Sequence, residues 1–339
     1  MVKKQKTPFI FKLSVFVFII SLVIIAISFE NELFADFINQ GASSFLRSFL
    51  SLLSSPFEHS IFEIIVIISP LIFAFLLFYI FLSGKNLTKL KNRFLRVLSF
   101  FVLAASLYVF TVGIPFVCRG FSSHISIDDD ITNDDLMYSA EVLIKEIENY
   151  SENEDKNYKA PDIESALLSS LYSPPKFIPM LSLKKGELSK VYSKLGIYSF
   201  YSFLTGEVIL NTEIPDYMTP FVIAHEYSHA LGAAGEADAE FSAYIALSKS
   251  DVPYLRYSAA MCALEYVYHS LEEEDKRKIY QSLSESAKDD FLEYKNYRQK
   301  NDGTPSKIGA EINETVNLGY GKDKSYSRFL ILLVSYLNK

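Results

Sequence analysis

The chain has 339 residues, 50% of them hydrophobic, with no tryptophan, 40 acidic against 33 basic side chains and a formal net charge of −7. That balance, with no basic patch after the apolar N-terminal part, excludes nucleic acid as a partner. A mean hydropathy of +0.16 averages two unlike parts: three long apolar runs fill the first 118 residues, and the remainder reads as a soluble globular domain.

Phe9 to Ser28 is nearly uncharged apart from Lys12 and long enough to cross about 30 Å of hydrocarbon. No small-x-small cleavage site follows it, so it reads as a retained anchor and not as a signal peptide. Glu63 to Leu82 and Val97 to Cys118 are the second and third runs. Lys3, Lys4 and Lys6 precede the first; Lys85, Lys89, Lys91, Arg93 and Arg96 fill the loop between the second and third. The intervening loop carries Glu30, Glu32, Asp36 and Glu58 against Arg47 alone. The positive-inside rule then predicts a cytoplasmic N-terminus and an extracytoplasmic chain after Cys118, with the lipid bilayer as a partner. In that first external loop Phe34, Phe37, Ile38, Phe45, Leu46, Phe49, Leu50 and Leu53 recur near helical spacing. An amphipathic helix on the membrane face, one packed under the soluble domain, or a plain helical hairpin would each give this pattern. Cys118 and Cys262 read as buried free thiols, although a disulfide is chemically permitted outside the cytoplasm.

Arg119 to about Asn133 forms a connector whose Asp128-Asp129-Asp130 run reads as a solvated turn. Helical periodicity covers Asp134 to Tyr150, and after a polar break Asp162 caps a short helix through Leu171. Pro174, Pro175 and Pro179 rule out regular structure until about Ser182. From Gly196 to Asn211, aromatic residues alternating with small polar ones, a Thr205-Gly206 turn and Glu207-Val208-Ile209-Leu210 spell a β-hairpin.

Thr219 to Gly232 carries the chemistry. Thr219 reads as an N-cap, Pro220 suits the first helical position, and Gly232 suits the left-handed residue that ends a helix. His225 and His229, four apart, project from one face and can meet one metal ion; Glu226 lies about 100° further round, where it can address a water on that ion. A catalytic zinc site needs a third protein ligand and an open position. Glu236, Asp238 and Glu240 on the next helix compete for the role. Glu236 is preferred because it begins that helix in a Glu-x-x-Ala-acid setting, while Glu240, one turn on, suits a group supporting a ligating His. Acids in a first helical turn also serve the helix dipole alone. The hairpin just before the motif is either an ordinary core hairpin or an edge strand holding an extended substrate over the metal. Pro253 to Tyr268, Leu271 to Tyr297 and Ser325 to Leu337 read as helices, with a loop from Lys300 to Lys307.

Over nearly its whole length the chain resembles a family of bacterial membrane proteins known as domain of unknown function 3810. The resemblance is carried by Pro56-Phe57-x-x-Ser60 with Glu63, by Gly196-Ile197-Tyr198-Ser199-Phe200-Tyr201, by Thr205-Gly206-Glu207, by Pro220-Phe221-x-Ile223-Ala224-His225-Glu226-x-x-His229, and by Ser325-Tyr326. It implies a zincin-like metal domain on a membrane anchor, with His225, Glu226, His229 and Glu236 on the metal motif. The chain departs from the family's Glu-x-Glu-Ala-Asn at Asp238 and Glu240.

The expected fold is thus mostly helical α+β: a three-helix anchor over residues 1–118 and an extracytoplasmic zincin-like domain with a small β-hairpin over residues 119–339. The expected function is a zinc-dependent metallopeptidase acting on peptide or protein substrates in the bacterial cell membrane, with His225, His229 and Glu236 holding Zn²⁺ and Glu226 as general base. The alternatives are a non-catalytic zinc-binding sensor or scaffold, or a membrane protein with no metal. His269, Tyr201, Tyr257 and Tyr326 are available as oxyanion donors. The motif lies about a hundred residues beyond Cys118, which argues against a site inside the bilayer.

Overall fold

The computed structural model describes residues 7–120, 123, 126–128, 130–150, 156–171, 174–303 and 328–339. Helix α1 covers Phe9–Glu30, and α2 (Glu32–Ile38) passes through a π-turn into α3 (Ser44–Ser54). Helix α4 covers Ile61–Phe81; α5 begins at Leu87 and continues through a π-turn at Val109–Gly113 to Val117. Three of these, α1, α4 and α5 with its extension, are long and apolar enough to cross a membrane. Their packing is the reverse of a water-soluble core. Ser14, Ser21 and Ser28 of α1 and Ser99 and Ser106 of α5 are buried at seven-residue spacing, each hydroxyl returned to a carbonyl of its own helix. Phe, Ile and Leu point outward. Small residues let backbones approach, the packing expected of helices that lipid solvates. The helix that carries the third run starts ten residues before Val97, because the Asn86 side chain caps α5 through the Thr88 and Lys89 amides, so Lys89, Lys91, Arg93 and Arg96 lie on the helix and not in the loop. Lys3, Lys4 and Lys6 lie outside the described residues.

The rest is helical around one small sheet. Helices α6 (Asn133–Glu148) and α7 (Ala160–Ser170) are followed by β1 (Ser182–Lys185), α8 (Ser189–Leu195), β2 (Ser199–Ser202) and β3 (Glu207–Leu210). Then come α9 (Thr219–Leu231), α10 (Glu236–Ser248), α11 (Pro253–Ser270), α12 (Glu273–Ser282), α13 (Glu285–Asn301) and α14 (Arg328–Leu337). Leu136, Leu143 and Ile147 of α6 join Leu255 and Leu264 of α11 and Leu332 and Leu333 of α14 in the core. The expected hairpin is β2–β3, with Ser199 opposite Leu210 and Ser202 opposite Glu207. Strand β1 adds to β3 in parallel, giving the order β1-β3-β2, so β3 is central and β2 is an edge.

Two local expectations change. Thr219 is not an N-cap: a 3₁₀ turn at Asp216–Met218 leads directly into α9, Met218 occupies the cap position, and no side chain caps it. The Leu271–Tyr297 helix is two helices, broken at Leu283 where Ser284 caps α13. Of the acidic run, the Asp128 carboxylate accepts the Asp130 amide at 3.0 Å, and Asp129 lies outside the described residues. Both cysteines are free thiols, Cys262 buried and Cys118 partly so.

Buried charges join the apolar helices to the rest of the chain, each answered by a helix end. Glu207 of β3 accepts the Ile61 and Phe62 amides at the start of α4, at 2.8 and 2.9 Å. Glu63 of α4 in return accepts the Glu187 and Leu188 amides at the start of α8 and the Tyr192 hydroxyl. Lys184 of β1 donates to the Ser54 and Phe57 carbonyls at the end of α3. These pairings satisfy amides and carbonyls that a helix end leaves open. Gly206, at φ +69°, turns the hairpin directly against the backbone of Leu50 and Ser51, where no Cβ fits. The first loop is therefore helical and packed under the C-terminal half.

Candidate metal centre

Helix α9 is buried on nearly every face, with Phe221, Ile223, Ala224 and Tyr227 in the core and the two histidines mostly covered. Its C-terminal end is built with care. Gly232 is left-handed at φ 114°, its amide reaches the His229 and Ser228 carbonyls, and the Ala233 amide returns to Ser228. That reversal brings the Ala233 carbonyl to 2.5 Å from His229 Nδ1. A proton on Nδ1 donated to this carbonyl leaves the His229 Nε2 lone pair facing the site. Arg47 of α3, wholly buried, donates from Nε to the Ala230 carbonyl at 2.9 Å and from its terminal nitrogen to Asn39 Oδ1 at 3.0 Å. A cation thus sits at the negative end of the motif helix.

The chain then runs through extended Gly235 into α10, whose first residue is Glu236. The structure brings His225, His229 and Glu236 together, with one donor atom from each lying within 4.8 Å of the others. The gaps are 3.1 Å between the two Nε2 atoms, 3.2 Å from His225 Nε2 to Glu236 and 3.6 Å from His229 Nε2 to Glu236. Tetrahedral ligands at 2.0–2.1 Å from one ion lie about 3.4 Å apart, so the spacing fits a small cation. The charges fit too. Burial alone would lower the His225 pKa, but Glu236, Glu226 and Glu240 around it override this and raise it to about 9. Burial likewise works against ionising Glu236, and the two histidines override it, holding its carboxyl well below the usual range. The pocket favours positive charge.

Glu226 is buried beside this set, and its Oε1 accepts a hydrogen bond from the Ser199 hydroxyl at 2.8 Å. Ser199 opens β2, the edge strand, which packs against α9. Sequence reasoning missed it, since Ser199 reads only as one small residue of an alternating strand. The competing acids are engaged by other groups, although Glu240 also lines the cleft. The Asp238 carboxylate lies against Gly120, and Glu240, its carboxyl raised by burial, accepts from the Tyr266 hydroxyl. Tyr257 is engaged by Asp290 at 2.5 Å. Tyr201 lines the cleft, but its hydroxyl is buried with no hydrogen-bond partner among the described residues. His269 also lines it, its pKa lowered by burial and by Arg298 and Lys276. Tyr326 lies outside the described residues.

A cleft of about 870 Å³ opens over the three donors and Glu226. One wall is β2 and Phe203; another is Thr111, Val112 and Pro115, at the far end of α5. His225 is distant from Cys118 in sequence but shares a cleft with the last turns before it. Deeper in, Glu265 accepts from the Tyr217 hydroxyl, and its pKa is raised to about 8, chiefly by burial.

The family model described as "Protein of unknown function (DUF3810)" matches residues 38–334. The chain belongs to this family. No curated protein and no solved structure matches it. The matched stretch starts within α2–α3 and takes in Arg47, α4, α5 and every residue of the metal cluster. The family's unit thus includes the apolar helices α4 and α5 along with the chain that follows Cys118.

Proposed function

We propose that the protein is a membrane-anchored zinc-dependent peptidase of zincin type, its N-terminus cytoplasmic and its metal centre on the extracytoplasmic side. The observation that carries this reading is the spacing of His225, His229 and Glu236 around one point, with Glu226 buried beside them at the base of an open cleft. Two imidazoles and one carboxylate are a catalytic zinc set and leave the fourth position free. Zinc held there supplies Lewis acidity and a water acidified to near neutrality. His229 is oriented by the Ala233 carbonyl, and Glu226 by Ser199. Glu226 takes the proton of the attacking water and delivers it to the leaving amine. Strand β2 offers its outer edge, so an extended substrate can add to it by backbone hydrogen bonds. A structural metal site needs no buried carboxylate beside its ligands, which favours the peptidase over the sensor or scaffold.

The test is metal content by elemental analysis of the detergent-purified chain, of Glu236→Ala and of Glu226→Gln, followed by digestion of a degenerate peptide mixture. About one zinc per chain is expected, lost or sharply weakened in Glu236→Ala. Glu226→Gln is expected to keep the metal while cleavage falls about 10²- to 10⁴-fold. Failure to bind zinc after add-back, or full activity in Glu226→Gln, would overturn the reading.

A further inference from the structure

We infer that the substrates of this site are polypeptides tethered to the same membrane, cut within a few residues of its outer surface. The inference rests on the peptidase reading and on three independent features of the structure.

The first is the cleft wall. Thr111, Val112 and Pro115 belong to the apolar helix that begins at Leu87, and Arg96 is the last basic residue before them. At 1.5 Å per residue, Thr111 and Pro115 stand about 22 and 28 Å above Arg96. The hydrocarbon layer is about 30 Å thick. With Arg96 at the inner boundary, Pro115 stands at the outer one and Thr111 about 8 Å below that boundary, so this wall of the cleft meets the outer boundary.

The second is helix α3. Its inward face is polar: Ser44, Arg47, Ser51 and Ser54 are buried. Its outward face is apolar, with Phe45, Phe49, Leu52 and Leu53 each about half exposed and Phe177 edge-on to Phe45. A helix with polar groups turned inward and apolar groups outward is solvated by lipid on its outer side. Arg47 on the inward face touches the carbonyl of Ala230, the residue after His229. One helix diameter, about 10 Å, therefore separates the lipid-facing surface from the end of the motif helix.

The third is rigidity. Glu207, Glu63, Lys184 and Arg47 are buried and tie α3 and α4 to β1, β3, α8 and α9. Withdrawing the cleft from the membrane would strip each of these charges of its partners, at a cost no loop motion carries. The height of the site above the bilayer is set by the fold. An extended chain rising from the membrane gains about 3.3 Å per residue, so its first few residues are the ones delivered to β2.

The test uses the full-length, zinc-loaded chain in lipid nanodiscs and a degenerate peptide segment in three forms. One is joined to a membrane-spanning or acyl anchor by a spacer of about four residues, which reaches at most about 14 Å. A second has the same anchor and a flexible spacer of about 25 residues, and a third has no anchor. Cleavage is read by mass spectrometry. Binding is read separately, in the Glu226→Gln chain, by cross-linking from a photoreactive residue at Val112. The short-spacer form is expected to be cut and cross-linked at least about tenfold more than the unanchored one at equal concentration. A preference for one anchor type identifies whether lipid-modified or membrane-spanning chains are the source. Equal cutting of all forms, or cutting only of the long-spacer and unanchored forms, overturns the inference and leaves the peptidase reading standing. Short-spacer cross-linking without cleavage overturns the peptidase reading, and the cutting with it, while the preference of the cleft for membrane-tethered chains stands. Neither cross-linking nor cleavage of the short-spacer form also overturns the inference.

Discussion

Glu265 sits deep in the cleft, 6% exposed, its carboxylate bonded to the Tyr217 hydroxyl. Burial raises its pKa from 4.5 to about 8, with Tyr217 and Arg298 pulling the other way. The consequence for stability has a definite sign. Below pH 4.5 the side chain is protonated in both the folded and the unfolded chain and contributes nothing to the pH dependence. Between 4.5 and 8 only the folded chain holds the proton, so stability falls as pH rises, and above 8 the loss is complete. A difference of 3.5 units at 1.36 kcal/mol each sets an upper bound of about 5 kcal/mol. Water reaching the group along the cleft reduces this, so a loss of about 2–5 kcal/mol is expected. Glu265→Gln keeps an oxygen for Tyr217 and cannot ionise. The variant and the parent chain should therefore have similar midpoints near pH 5, with the variant clearly more stable at pH 8.5. The assay is thermal or denaturant unfolding in detergent at both pH values, followed by intrinsic tyrosine fluorescence. Parallel pH profiles for the two proteins would show that Glu265 is ionised in the folded chain and refute the reasoning.

Ser199→Ala removes one hydrogen bond to a buried charged acceptor, worth about 1.5–3 kcal/mol. Turnover should drop about 10- to 100-fold while zinc content stays unchanged; unaltered turnover would deny Ser199 a role in orienting Glu226. Arg47 is held at the cost of its own desolvation, which lowers its pKa to about 10, so Arg47→Met should leave stability within about 2 kcal/mol. The same change loosens the helix end that orients His229, so zinc affinity, measured by chelator competition, should fall about 10- to 100-fold. Gly206→Ala forces a Cβ into the Leu50–Ser51 backbone at a left-handed position, and a loss of at least about 1–3 kcal/mol is expected in the unfolding midpoint.

What the sequence made legible was local. The spacing of His225 and His229 needs only an α-helix to place both rings on one face, and Gly232 announces where that helix stops. The apolar helices are legible because composition alone sets their length against hydrocarbon. Glu236 was separable from Asp238 and Glu240 by its position in the next helix, and the structure places it, alone of the three, beside both histidines. The remainder depends on contacts between residues far apart in the chain. Strand β1 was missed because Ser182-Leu183-Lys184-Lys185 lacks strand-like alternation; Lys184 can be buried only because α3 lends it two carbonyls. Arg47, informative in the sequence only for orientation, proves to hold the end of the motif helix 183 residues away. Sequence separation also said nothing of the cleft wall that α5 provides.

Those long-range contacts bear on how the chain is divided. A membrane anchor carrying an independent domain would be joined by exposed, polar linkers with few contacts crossing the boundary. Here the boundary is crossed in both directions. Glu207 caps α4 from the sheet, and Glu63 caps α8 from α4. Each carboxylate is buried and bonded to amides that belong to the other half, so either half alone would leave a charge without partners and a helix end open. The energetics therefore favour a single folding unit that includes the apolar helices. A fragment beginning after Cys118 would expose Glu207, Lys184 and the underside of α9 together, leaving His229 without the Arg47 contact that steadies the end of its helix. The His225–His229–Glu236 cluster is thus a product of the apolar helices as much as of the motif helix, and it is best studied in a chain that retains both.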